Sequence, residues 1–290
     1  MTSTSRRTFT TFLSATIVTL FPTFGHAIDI SHDDFSDVST LQLNGRAASV
    51  GNSVTASDGL KVLRLTDNYG QSGSAYLKTA VSLANNLSFS TFFQFRITAG
   101  GGFFESGEFV KGADGITFAL NSVSNVAGLA GDGIGYQGNP YSASIEFDTF
   151  NNGAPKDTDG NHVGVNLYGS TRSVTTAPVT QALMNNGQIW SAWIDYDGVT
   201  DLLSVRLAQG STVTRPDTAL LSHTVDLYEA VYHQDVYFGF TSATGSLTNT
   251  HDILRWEAQT LAAPVPEPAT LSLFGIGGLL IAGAAARRRT

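Results

Sequence analysis

The sequence has 290 residues, none of them cysteine and only two of them methionine, and just 14% carry a charge. Without cysteine there is no disulfide framework and no thiolate-held zinc, haem or iron–sulfur site. Basic residues are also scarce, 16 against 24 acidic, for a net charge of −8. An acidic chain with no basic stripe repels phosphate, which argues against nucleic acid as a partner. Helical periodicity of useful length is missing between Ile28 and Ala263, and no repeat of 20–50 residues marks a propeller or solenoid. What the chain does have is 30 Gly, 18 Phe and 42% hydrophobic residues, with much Ser, Thr and Val. That composition favours strands and opposes wholesale disorder.

The two ends stand apart from the rest. In residues 1–27, Arg6 and Arg7 precede a modestly apolar stretch from Phe12 to Phe24, and Gly25-His26-Ala27 offers small residues for cleavage after Ala27. This reads as an export signal peptide. Ser5-Arg6-Arg7-Thr8-Phe9 also resembles a twin-arginine signal, from which Thr10 and Thr11 depart. At the other end, Pro266-Glu267-Pro268 precedes an apolar run closed by Arg287-Arg288-Arg289. Ala269 to Ala286 would form a helix of ~27 Å, just enough to span a bilayer core, with the arginines on the cytoplasmic side. The tripeptide, span and Arg cluster together resemble the PEP-CTERM sorting tail of Gram-negative bacteria. That resemblance implies a transient membrane anchor, processing by an exosortase near Pro266, Glu267 and Pro268, and a link to extracellular polysaccharide or biofilm. The alternative is a permanent C-terminal anchor.

Between the ends, residues 28–268 carry 11 basic and 24 acidic side chains, a net charge of −13. Excess carboxylate in an exported chain without cysteine makes Ca²⁺ a plausible staple. Short alternating or apolar runs recur, separated by Gly, Asn, Asp and Ser. They cover 60–65, 87–97, 115–120, 143–150, 162–168, 189–196, 202–208, 219–227, 236–241 and 253–260. Many strands without crossover helices predict an all-β antiparallel two-sheet sandwich or jelly roll. The organisation expected is a signal peptide (1–27), one sandwich (28–262) and a sorting tail (263–290).

The stretch from Ile145 to Val163 concentrates chemistry. Glu146, Asp148, Phe150 and Asn152 are spaced by two, so a strand would put them on one face, with Ile145 and Phe147 on the other. Neighbouring carboxylates on one face repel unless a positive charge lies between them. A loop then brings back Asp157, and His162 opens the next strand. All-oxygen ligands suit Ca²⁺, whereas carboxylates with one imidazole suit Mn²⁺ or another transition metal. The bland alternative is a solvated acidic turn. An EF-hand beginning at Asp157 fails, because its sixth position is His162 rather than Gly and its twelfth is Tyr168 rather than Glu.

This stretch resembles the metal loop of legume-type (L-type) lectins, and the likeness extends over most of 30–260. Ser88-Phe89-Ser90-Thr91-Phe92 resembles the family's early core strand. Ala113-Asp114-Gly115-Ile116-Thr117-Phe118 is similar to its Ala-Asp-Gly sugar motif, and Gly131-Asp132-Gly133-Ile134-Gly135-Tyr136 to its glycine-rich second loop. Gly239 to Gly245 and Thr250 to Trp256 resemble its late signature. The resemblance implies a concanavalin A-like sandwich that binds glycans. It implies Glu146 and His162 as ligands of the transition ion, Asp148 and Asp157 as bridges to both ions, and Asn152 with the carbonyl of Phe150 completing the calcium shell. Asp114, preceded by a cis peptide, would accept sugar hydroxyls through charge-assisted bonds. Asn152 would donate its amide, a backbone N–H near Gly131 or Asp132 would add a third contact, and Phe150 would stack on the ring. Gly245, Ser246 and Leu247, in a loop running to Asn249, would rim the pocket. Asp132 stands where the family has Gly and adds a negative charge. His251 and Asp252 are expected to orient a turn, and Trp190, Trp193 and Trp256 to be core or sheet-face residues.

Two other functions fit the same fold. A retaining β-glucanase needs a second glutamate after Glu146 and Asp148 on the strand, but Phe150 and Asn151 stand there, so no enzyme is expected. A structural matrix protein whose lectin fold has lost sugar binding is the other. Which sugar is bound and the oligomeric state are not legible.

Overall fold

The long aromatic run predicted from Leu87 alternates from Phe89 to Phe95, and only Arg96, buried on the outward parity, interrupts the pattern before Ile97. Phe89, Thr91, Phe93, Phe95 and Ile97 are buried, while Ser90, Phe92 and Gln94 face outward and are half-buried. That period of two makes it a sheet strand with one face in the core. A computed structural model describes residues 27–51, 60–102, 112–212 and 214–261. The export signal up to residue 26, the Pro266-Glu267-Pro268 tripeptide and the apolar C-terminal run lie outside these described residues. Among the described residues no helix is long and apolar enough to cross a membrane.

The strands in chain order are β1 (Asp29–His32), β2 (Leu41–Gly45), β3 (Ala48–Gly51), β4 (Lys61–Thr66), β5 (Ser72–Leu77), β6 (Ser88–Gly102), β7 (Gly115–Asn121) and β8 (Ser142–Asp148). They continue with β9 (His162–Leu167), β10 (Thr175–Pro178), β11 (Ile189–Asp197), β12 (Leu202–Gln209), β13 (Leu221–Thr224), β14 (Tyr237–Ala243) and β15 (Leu247–Leu261). They form two antiparallel sheets. The back sheet runs β13-β12-β11-β6-β15-β4-β3 with β1 added beside β15, and the front sheet runs β10-β9-β8-β7-β14-β5-β2. This is the all-β sandwich that the sequence predicted.

Aromatic rings fill the space between the sheets. Phe93 of the back sheet meets Phe240 (4.9 Å between centroids) and Phe147 (5.5 Å) edge to face, and Phe240 meets Trp256 at 4.9 Å. Such edge-to-face pairs add about 0.5–1.5 kcal/mol each beyond area burial. Trp190 and Trp256 are fully buried, whereas Trp193 lies half-buried on the outer face of the back sheet beside Phe92.

Some elements differ from expectation. β1, β2, β3, β5 and β10 were not anticipated; they are short, and β2, β3 and β10 lie at sheet edges. The strand expected over 219–227 shrinks to β13, because Asp226 caps a one-turn helix, α1 (Leu227–Ala230), by accepting from the Glu229 N–H at 3.0 Å. The strand expected to reach Phe150 stops at Asp148, whose Oδ1 accepts the Phe150 N–H at 2.7 Å and turns the chain. His251 and Asp252 do not orient a turn. They lie inside β15 at a bulge, where His251 Nδ1 meets Thr66 Oγ1 at 2.8 Å and Asp252 takes a bidentate pair from Arg64 at 2.9 and 3.0 Å.

Candidate metal and carbohydrate site

Strand β8 supplies the first ligands. Its Ile145 and Phe147 enter the core, so Glu146 and Asp148 must face the other way, as the spacing predicted. An outward face is normally wet, yet both are 1% exposed, because loops fold over this end of the front sheet. Since β8 ends at Asp148, Phe150 and Asn152 do not continue that row: Phe150 is half-buried and Asn152 exposed in the following loop. The loop is organised around Asp157, whose Oδ2 accepts the Asn152 N–H at 2.6 Å and whose own N–H donates to the Gly153 carbonyl at 3.1 Å. The chain returns in β9 with His162 paired in register against Asp148.

One potential ligand atom from each of Glu146, Asp148 and His162 lies within 4.8 Å of the others. His162 Nε2 is 3.3 Å from Glu146 Oε1. Asn166 Nδ2 donates to Glu146 Oε2 and Ser173 Oγ donates to Glu146 Oε1, both at 2.5 Å, which fixes the carboxylate plane. Sequence reasoning missed these two supports. Gly164 was the available signal: a Cβ there would stand 2.6 Å from Glu146 Oε1, so only glycine leaves the carboxylate its room.

The electrostatics of this cluster are unbalanced. Burial, then the Glu146 charge, push the Asp148 carboxyl well above the usual carboxylate range. Burial also raises Asp157, against the hydrogen bond from Asn152. Burial alone would lower His162, but the Glu146 hydrogen bond and the charges of Asp148, Glu146 and Asp159 hold it up at about 9. Asp157 Oδ1 is buried without a hydrogen-bond partner. Carboxylates crowded in this way around an imidazole with a free oxygen are the donor set that a hard or borderline cation satisfies.

Asp114 sits beside this cluster. The Ala113–Asp114 peptide is cis, as the resemblance implied, and the Ala154–Pro155 peptide of the covering loop is also cis. The Asp114 N–H donates to Ala243 O at 3.2 Å and its carbonyl accepts from Thr149 N–H at 3.0 Å, so it bridges β14 and the end of β8. Its carboxyl is pushed up to about 7, mainly by burial, with Lys156 lowering it and Asp132 and Asp157 raising it. The Gly245 N–H is near enough to lower it slightly, but that N–H donates to Leu247 O at 3.2 Å, so Asp114 Oδ2 remains buried and unpartnered.

Three loops converge over Asp114. Gly131, at φ +62°, opens a single 3-10 turn (Gly131–Gly133), and a Cβ at Gly245 would lie 3.4 Å from Gly131 Cα and 3.8 Å from Asp114 Oδ2. Thr244 rivets the assembly. Its carbonyl accepts from Gly131 N–H (3.1 Å), its N–H donates to Gln71 O (2.9 Å), and its hydroxyl donates to Asn68 O (2.5 Å) while accepting from Gln71 N–H (3.0 Å). Two expectations change here. The Gly131 N–H is engaged by Thr244, which leaves Asp132 as the donor to consider from that turn. The rim loop expected over Gly245 to Asn249 ends at Ser246, because Leu247 already begins β15 and is buried. The extra charge of Asp132 is met by Lys156, at 3.1 Å, a residue that the sequence did not single out.

A family model, the legume lectin domain, matches residues 27–271. The chain belongs to the legume lectin family. A second model, the PEP-CTERM protein-sorting motif, matches residues 264–289 and marks the chain for export. Relatives of this legume lectin include the Arabidopsis thaliana L-type lectin-domain containing receptor kinases V.9, 34% identical over 176 residues (48% of this chain, 26% of the kinase), and I.8, 29% identical over 216 residues (67% and 31%). The chain thus spans about a quarter to a third of these relatives' length. Among solved structures, basic winged bean lectin with Tn-antigen is 28% identical with a TM-score of 0.65, over 81% of this chain and 99% of that one. The Bauhinia forficata lectin in complex with GalNAc shares the fold at a TM-score of 0.67 and 22% identity, over 82% and 99%. The family consists of carbohydrate-binding proteins rather than enzymes, and its members generally hold Ca²⁺ and Mn²⁺. The donor set here fits those ions on its own chemistry: buried like charges, a coupled imidazole and orphaned carboxylate oxygens.

Proposed function

We propose that the chain is an exported, calcium-dependent lectin, with a signal peptide over 1–27, a lectin domain over 28–262 and a sorting tail over 263–290 handled by an exosortase. Its glycan ligand belongs to extracellular polysaccharide or biofilm matrix. The observation that carries this reading is the pair of buried carboxylate oxygens without a partner, Asp114 Oδ2 and Asp157 Oδ1, at the pole that also holds Glu146, Asp148 and His162. An uncompensated buried carboxylate is costly, and a bound cation and sugar hydroxyls supply what it lacks.

In this reading Ca²⁺ takes Asp148, Asp157, Asn152 and the Phe150 carbonyl, and Mn²⁺ or a similar ion takes Glu146, Asp148, Asp157 and His162. Cations held by these residues would supply the positive charge that the cluster and neighbouring Asp114 lack. Asp114 then accepts hydrogen bonds from two sugar hydroxyls, Asn152 and the Asp132 N–H donate, and Phe150 stacks on the ring. Gly245, Ser246 and Leu247 set the far wall. Tn-antigen and methyl-α-galactoside are sensible first probes, because winged bean lectins carry those ligands.

The test is a glycan array of the full chain with Ca²⁺ and again in chelator, with Asp114→Asn and Asn152→Ala alongside. Binding is expected with Ca²⁺ only, and lost in both variants. Binding that persists in both places the site elsewhere. A folded, metal-loaded protein that binds no glycan supports the matrix-protein alternative.

A further inference from the structure

The pole opposite Asp114 carries three half-exposed tyrosines from three separate loops. Tyr141 precedes β8, Tyr168 follows β9, and Tyr232 lies between α1 and β14. They are 45%, 50% and 54% exposed. Tyr232 meets Tyr141 at 5.4 Å and 90°, and Tyr168 at 5.8 Å and 67°, both edge to face. An edge-to-face contact uses one ring's edge and another's face, so two contacts engage at most two of the six ring faces. β8 separates this cluster from Asp148 by roughly 20 Å, at ~3.3 Å per residue.

The backbone beneath the rings is unusual. Outside glycine, and outside the Asn and Asp that tolerate it, four described residues adopt left-handed φ: Ile134, Tyr168 (+60°), Tyr232 (+53°) and His233 (+60°). Ile134 belongs to the carbohydrate pole, and the other three belong to this one. A bulky side chain is disfavoured in that region, and such strain gathers at ligand-binding sites. Each ring is nonetheless held at its root. Tyr141 N–H donates to Asn139 Oδ1 (3.1 Å), Tyr168 N–H to Ser142 O (2.8 Å) and Tyr232 N–H to Glu229 O (2.9 Å). These bonds order the backbone and the edge-to-face contacts restrict the rings, so less entropy is lost on binding.

We infer that this pole is a second carbohydrate site, built to stack an uncharged glycan on Tyr141, Tyr168 and Tyr232. Rings with phenolic hydroxyls match the apolar faces and equatorial hydroxyls of sugar rings. Few charges flank the rings in sequence, so stacking rather than ion pairing is the contact they offer. Within three residues of any of these tyrosines only Glu229, His233 and Asp235 are ionisable, and Glu229 pairs with His233 at 2.6 Å. None of these groups is a metal ligand, so this site works without Ca²⁺. One chain would then hold glycan at both ends and cross-link it as a monomer.

The experiment titrates tyrosine-labelled full chain with neutral gluco-, galacto-, manno- and xylo-oligosaccharides in chelator, reading ring resonances, in wild type and in Asp114→Asn. Ring signals of Tyr141, Tyr168 and Tyr232 are expected to shift together in both proteins. Tyr232→Gly suits a left-handed position, so it keeps the fold; it should weaken this binding by about tenfold or more and leave Ca²⁺-dependent binding at Asp114 intact. Tyr141→Ala, where the backbone is ordinary, should act in the same direction. Absence of shifts with all four sugars, or equal shifts in Tyr232→Gly, overturns the inference. Ring shifts that follow protein concentration instead would assign the patch to a second copy of the chain and overturn it equally. Loss of array binding in Asp114→Asn bears on the first site alone, so the two readings fail separately.

Discussion

Two buried acidic groups in this molecule are handled in opposite ways. Asp252, inside β15 of the back sheet, is 1% exposed and carries its own cations: Arg64 at 2.9 Å and Arg96 at 3.7 Å. Asp148, at the end of β8 in the front sheet, is equally buried but faces Glu146, Asp157 and a shared His162. The first region is electrostatically complete when the chain folds. The second is left short of positive charge. Burial is the same, so the difference lies in the counter-charge: the sequence supplies it at Asp252, and in the function proposed above a bound cation would supply it at Asp148.

That contrast can be broken in several ways. Asp252→Ala should have the largest effect, about 3–5 kcal/mol of lost stability, because it removes the carboxylate that Arg64 and buried Arg96 share. The loss should be the same with and without Ca²⁺ in denaturant titrations; a calcium-dependent loss would merge the two regions. Chelation should follow in size. With ion at about 100 times its Kd, stabilisation is about 2.7 kcal/mol, so the melting temperature should fall in chelator and recover on adding Ca²⁺. An unchanged melting temperature would mean that the front cluster also manages alone.

The third test is pH. Without metal, Asp114 titrates near 7 in the folded chain against about 3.8 unfolded, so the folded state holds more protons between those values. Stability should therefore fall as pH rises from about 4 to about 7. His162, held up at about 9, adds stability below about 6.5 that is lost as pH rises through 9. Metal should remove this slope, and its affinity should rise with pH as it displaces these protons. An identical pH–melting curve with and without Ca²⁺ would contradict this. Smallest should be Lys156→Ala. The Asp132 side chain of its ion pair is 59% exposed, so stability should change by no more than about 1 kcal/mol, while sugar affinity drops by a few-fold because Asp132 is uncovered. Isothermal titration with the best array ligand separates the two effects.

Much of this was legible in the sequence, for identifiable reasons. The alternation of Phe89, Phe93 and Phe95 exposes β6, and the spacing of Glu146 and Asp148 against Ile145 and Phe147 exposes the carboxylate-bearing side of β8. Such local periodicity survives without knowledge of the fold. The contributions of Lys156, Asn166 and Ser173 were not legible, because each acts through a contact made by tertiary folding. Where β8 stops was hidden too: Phe150 continues the period of two, but the Asp148 side chain takes its N–H and turns the chain. The tyrosine pole left no local trace, since Tyr141, Tyr168 and Tyr232 are far apart in sequence and two of them occupy backbone positions that favour glycine.

The crossing from β14 to β15 has no slack. Thr244 is fastened on three sides and Leu247 is already paired with Gly102, so the passage between the sheets is as short as the chain allows. A longer crossing would have to bulge out between the Thr244 bonds on one side and the Leu247 pairing on the other. In the function proposed above, the Ser246 side chain, between these two fixed points, is therefore the simplest place at which a single substitution could alter ligand preference.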